Sequence, residues 1–110
     1  MSKTIVQYLP EIELFLNNLS DVLFEKNYFS FLQYSENYVD DLTNFIEQNI
    51  SKYPHKTTPK SLVKWGMFYF FYKANNRTTW YIFFEKKEHR FLITHITNNH
   101  IQDISFLNTE

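Results

Sequence analysis

The side chain best suited to move a proton near neutral pH is His100, because imidazole titrates there. It closes the run ITHITNNH and follows Asn99 directly. His95 stands earlier in the same run. The two histidines offer two metal ligands, but no third ligand has suitable spacing and the chain has no cysteine. Neither a metal site nor a cofactor is therefore expected. Phosphate would be gripped by cations: Arg77 and Arg90 at the ends of aromatic runs, Lys73 beside them, and a basic rim of Lys56, Lys60 and Lys64. Tyr69 and Tyr81 present rings on which a base could stack. Each of these has a plainer reading. A histidine after a strand often caps it, an arginine at a turn is usually only solvated, and a tyrosine in an apolar run usually belongs to the core.

The elements that must position these groups lie between Gly66 and His100. Met67 to Lys73 is a run of aromatic residues, Thr78 to Glu85 reads TTWYIFFE, and Phe91 to Thr97 reads FLITHIT. β-branched and aromatic side chains fit a pleated, half-buried surface. Asn75-Asn76 separates the first two runs, and asparagine tolerates the left-handed backbone of a tight turn. Lys86-Lys87-Glu88-His89 separates the second from the third. Short connections force antiparallel neighbours, so the pattern predicts a three-stranded meander. In its middle strand Trp80, Ile82 and Phe84 share one face. That is the better core face, because the opposite set, Thr79, Tyr81, Phe83 and Glu85, ends in a charge.

Upstream, Thr4 to Leu9 reads as a short strand that Pro10 ends, and proline suits the first turn of a helix. Ile12, Phe15, Leu16, Leu19 and Leu23 then recur at helical spacing. A second helix carries Phe31, Tyr34, Tyr38, Leu42, Phe45, Ile46 and Ile50 on one stripe and closes before Pro54. Pro54 to Lys64 is polar and basic with two prolines, which predicts a loop. Gly66, the only glycine, suits a bulge or a close backbone approach. The tail IQDISFLNTE carries Ile101, Ile104, Phe106 and Leu107 and suits either a helical turn or an edge strand. The expected order is strand, helix, helix, strand, strand, strand: an α+β domain over 1–110 with two helices on one sheet face.

The 110 residues suit one domain, and 20% aromatic content supplies bulk for a core without disulfides. No stretch resembles a secretory signal or a membrane span, so a cytoplasmic protein with no membrane partner is expected. The net charge of −1 hides an asymmetry. Glu11 to Ser51 holds eight acids against Lys26 alone, and Lys52 to His100 holds nine bases against Glu85 and Glu88. Either the halves neutralise each other or the basic half faces an acidic partner or nucleic acid. No GxSxG, P-loop, HExxH or dinucleotide fingerprint is present.

The order of elements, with TIVQYLPEIELFLNNL at the start, RTTWYIFFE in the centre and ITHITNNH at the end, resembles the RelE/ParE superfamily of bacterial toxins. WYIFFEK together with ITNNH is similar to a short subgroup found in Bacteroidetes-type bacteria. The resemblance covers nearly the whole chain and implies the RelE/ParE-like fold. It implies an antitoxin whose extended amphipathic segment wraps the toxin, and a target that is either mRNA on the ribosome or DNA gyrase. It also places His100 where the family's last-strand site lies. The ribonuclease members carry an arginine after the central aromatic residue, where this chain has Tyr81. They end the last strand on a basic residue, where this chain offers only His100, and often have a tyrosine in the tail, where this one has Phe106. The missing arginine and the charge of −1 favour a ParE-like or purely partner-binding role over ribosome-dependent cleavage. If cleavage occurs, His100 moves the proton and Arg77 or Arg90 holds phosphate, with Lys60, Lys64, Lys73, Tyr81 and Asn99 as further contacts.

Overall fold

The computed structural model describes residues 4–52 and 55–100. It is an α+β structure. Strand β1 (Ile5–Tyr8) leads into helices α1 (Pro10–Glu25) and α2 (Leu32–Asn49). Then come β2 (Lys56–Thr57), a 3-10 helix (Lys60–Trp65), β3 (Phe68–Lys73), β4 (Thr79–Lys87) and β5 (Arg90–Asn98). The sheet is mixed, in the order β1-β5-β4-β3-β2. β3, β4 and β5 are antiparallel neighbours, and β1 joins β5 in parallel. The sequence pattern predicts four strands and the sheet has five. The tail from Ile101, and the Tyr53-Pro54 end expected for the second helix, lie outside the described residues.

Trp80, Ile82 and Phe84 face both helices, joined by Phe70, Phe91, Ile93 and Ile96 from the flanking strands. Trp80 is 2% exposed and its two companions are fully buried. The helical stripe of α1 is as spaced: Ile12, Leu16 and Leu19 are buried. That of α2 holds from Tyr38 onward, with Leu42, Ile46 and Ile50 buried and Tyr38 and Phe45 packed against the core, but it begins differently, with Ser35 and Val39 buried. Phe31 and Tyr34 stand 63% and 55% exposed. The reason is the close approach of the two helices. Ser35 is small enough to sit between them, and its hydroxyl donates to the Ser20 carbonyl at 2.9 Å. With Ser35 turned inward, its neighbour Tyr34 points away from α1, and Phe31 precedes the helix in extended backbone.

The opposite sheet face is also a core. Tyr69, Tyr81 and Phe83 are buried there, with Leu62, Trp65 and Phe71 packed against them. Part of their cover comes from the segment expected to be a loop. Pro59 accepts the Leu62 N–H at 2.9 Å, and Val63 accepts the Gly66 N–H at 3.1 Å. A 3-10 turn repeats every three residues, which puts Leu62 and Trp65 on one side. Trp65 stacks on His95 with ring centres 4.4 Å apart and meets Phe83 edge-on.

Gly66 then passes close to the sheet. A Cβ there would lie 2.6 Å from Thr94 Oγ1 and 2.9 Å from the Phe84 nitrogen. Its φ of +157° also disfavours a side chain. Thr94 is the extra residue of a bulge: Phe84 pairs with Ile93, but Phe83 pairs with His95. The Thr94 hydroxyl bonds the Trp65 carbonyl, which ties the covering segment to the bulge.

The turn between β3 and β4 works differently from the expectation of left-handed asparagines. Among the described residues only Asn27 and Glu88 are non-glycine residues with positive φ. Asn75 acts through its side chain, whose oxygen accepts the N–H groups of Arg77 and Thr78 at 2.8 and 2.9 Å.

Candidate functional site

The residues expected to hold phosphate fall into three places. Arg77 sits in the β3–β4 loop, where Asn99 Nδ2 donates to its carbonyl at 2.9 Å. The Asn99 oxygen accepts the Thr79 N–H at 3.0 Å. His100 Nε2 lies 2.9 Å from the Thr78 hydroxyl. Lys73 ends β3 at the same edge, opposite Thr79. Arg77, Lys73, Asn99 and His100 are thus brought to one end of the sheet. Arg90 opens β5 at the other end, opposite Lys87. Lys60 and Lys64 are exposed on the 3-10 helix. Tyr81 is 3% exposed, and burial pushes its phenol above its ordinary pKa. Its ring is covered by protein and offers no open surface to a base. His95 is held against Trp65, and burial lowers its pKa. Among the described residues no group of histidines and acids could hold a metal ion.

The end of the sheet that gathers His100 also forms one side of a cleft of about 400 Å³. Helix α1 supplies Phe15, Leu19, Val22 and Leu23, the α1–α2 connection supplies Lys26, Tyr28 and Phe29, and α2 supplies Tyr38. The sheet supplies Trp80, Asn98, Asn75, Thr78 and His100. Local backbone chemistry builds the helical wall. Asn27, with φ of 63°, ends α1 in the left-handed conformation. Its N–H bonds the Phe24 carbonyl at 3.0 Å, and the Tyr28 N–H bonds the Leu23 carbonyl at 3.1 Å. This Schellman-type cap satisfies helix-end carbonyls and folds Tyr28 back beside Leu23.

At the floor, the Trp80 indole N–H donates to the Tyr38 hydroxyl at 2.7 Å. Burial pushes the Tyr38 phenol up, and the indole N–H it accepts partly offsets the rise. The phenol stays protonated at neutral pH, so its own O–H remains a donor. Asn98 is only 9% exposed, and its side-chain oxygen accepts the His100 N–H at 2.9 Å. Of these residues, sequence reasoning found His100 as a functional group and Trp80 as core. It missed Tyr38, Asn98 and Lys26. Asn27 after an amphipathic helix was the available signal, because asparagine is a common left-handed stop.

A second groove of about 530 Å³ runs between α1 and α2. Glu13, Glu36 and Asp40 line it with Asn17, Gln33 and Asn44. At its end Tyr8 donates to Glu47 at 2.9 Å, and burial, then that carboxylate, raises the Tyr8 pKa.

Compared with protein-family models, with curated proteins and with solved structures, the chain matches none. Among the described residues no helix is long and apolar enough to cross a membrane.

Proposed function

We propose that this chain is a cytoplasmic RelE/ParE-like protein that acts by binding, as the toxin member of a type II toxin–antitoxin pair. Its activity is ParE-like, directed at gyrase, or degenerate, and the partner that silences it is the antitoxin. One observation carries the preference for binding over RNA cleavage. His100 meets Arg77 at one end of the sheet while Arg90 stands at the other, but Tyr69 and Tyr81 are both buried, so neither candidate stacking ring faces the point where proton mover and phosphate clamp meet. Cleavage needs such groups within hydrogen-bond reach of the same phosphate. A surface for binding is present in their stead. Tyr28, Phe31 and Tyr34 stand 55–66% exposed around the α1–α2 connection, an apolar display of the sort that marks interaction sites.

The test is induced expression of the chain alone in a bacterial host, then together with a small reading frame found beside its gene. Growth arrest that the neighbour relieves is the expected result. Unimpeded growth leaves the non-toxic partner-binding form of the module. Where the partner is acidic and meets Lys56, Lys60, Lys64, Lys73, Arg77 or Arg90, affinity falls steeply with added salt. Binding indifferent to salt would remove the basic half from the interface.

A further inference from the structure

We propose that the cleft between the α1–α2 connection and the β3–β4 end of the sheet binds a small amphipathic carboxylate, with a flat apolar body and one acid group. This goes beyond the partner-binding role and does not depend on it. The volume of about 400 Å³ is that of a small-molecule site. Most of the wall is carbon, from Phe15, Leu19, Val22, Leu23 and Phe29. The one polar atom of the Trp80 ring is already bonded to Tyr38, so an apolar body resting there strands no donor.

At the floor of the cleft two groups keep a donor to give. Tyr38 accepts from Trp80 and keeps its own O–H to give. Asn98 has its oxygen engaged by the His100 N–H, which leaves its NH2 group as donor. Among the described residues Lys26 is the only lining residue with a fixed charge, and no aspartate or glutamate lines the cleft. This is notable because the same two helices are otherwise acidic: from Glu11 to Ser51 Lys26 is the only base. The neighbouring groove between the helices has the reverse character, with Glu13, Glu36 and Asp40 and, among the described residues, no cation. Donors, one positive charge and an apolar body ask for an acceptor with one negative charge on an apolar frame. Among the described residues a cation would find no carboxylate, and a multiply charged phosphate would find one fixed counter-charge only.

Three probes of one shape test this on the full chain: naphthalene-1-acetate, the neutral naphthalene-1-ethanol, and the ammonium form of naphthalene-1-methylamine. Binding is followed by NMR shifts of the Trp80 indole N–H and the Leu19 and Leu23 methyls. The acetate is expected to bind with Kd of about 0.1–1 mM. It should bind about threefold to tenfold tighter than the ammonium probe. Lys26→Gln should remove that preference and leave the alcohol's affinity unchanged. Val22→Glu, at an exposed position on the wall, should invert it. Ammonium binding as tight as that of the acetate would overturn the proposal, as would shifts on another face or none at about 5 mM. If the same nuclei shift with protein concentration alone and no probe competes, the cleft belongs to a second copy of the chain and the proposal falls.

Discussion

Strand β4 has two faces that look alike in sequence and are covered in different ways. Trp80, Ile82 and Phe84 lie beneath two long helices. Tyr81 and Phe83 pack with the short segment ending at Trp65. Phe83 is nonetheless as fully buried as Ile82. The difference teaches that TWYIFF is a strand of the interior, closed on both sides. A near-continuous apolar run is the signature of such a strand, whereas a half-exposed one alternates. The consequence for function is direct. The face that would present Tyr81 and Tyr69 to a nucleic acid is packed shut, and open chemistry is left to the sheet ends and the helix connection.

The comparison can be broken most forcefully by truncating one residue on each face. Trp80→Ala is expected to cost about 3–5 kcal/mol and Phe83→Ala a comparable amount, the penalty for a buried large aromatic. Chemical denaturation measures both. A loss for Phe83→Ala of under about 1 kcal/mol would show that the second face is not a core. Gly66→Ala comes next, at about 1–3 kcal/mol, because its Cβ would press on Thr94 and on the backbone of Phe84. If Gly66→Ala leaves the midpoint unchanged, the covering segment is not tied to the bulge.

The smallest effect is a dependence on pH. Burial lowers the pKa of His95 beside Trp65, and burial, then Lys86, lowers that of His55 beside Phe68 and Phe84. A histidine whose folded pKa is depressed binds its proton more readily when unfolded. Stability is then full above the unfolded value of about 6.5 and declines as pH falls through the folded pKa. His95→Gln should flatten part of that decline. An unchanged slope would show that the Trp65 side of the sheet admits water.

Much of this fold could be read from residue types. Pro10 at the start of α1, its stripe of Ile12, Leu16 and Leu19, and the shared face of Trp80, Ile82 and Phe84 all follow from local chemistry. What could not be read depended on neighbours. Ser35 faces α1 because a small side chain lets two backbones approach, and that leaves its neighbour Tyr34 outward against its hydrophobicity. Leu62 and Trp65 sit in a polar, proline-marked stretch, where only a spacing of three betrays a packing face. The site was partly legible: His100, Asn99 and Arg77 do converge. Lys26, Tyr38 and Asn98 come from three separate elements, and no spacing along the chain brings them together.

A binding role against a cleaving one is tested most directly by primer extension on an mRNA under translation, with the purified wild-type chain and with His100→Ala. No new cleavage is expected with either protein, because Tyr69 and Tyr81, the rings that would stack on a base, are packed shut. Codon-positioned cleavage by the wild type that disappears in His100→Ala would contradict the binding role, and would make the His100–Thr78 pair the heart of a ribonuclease.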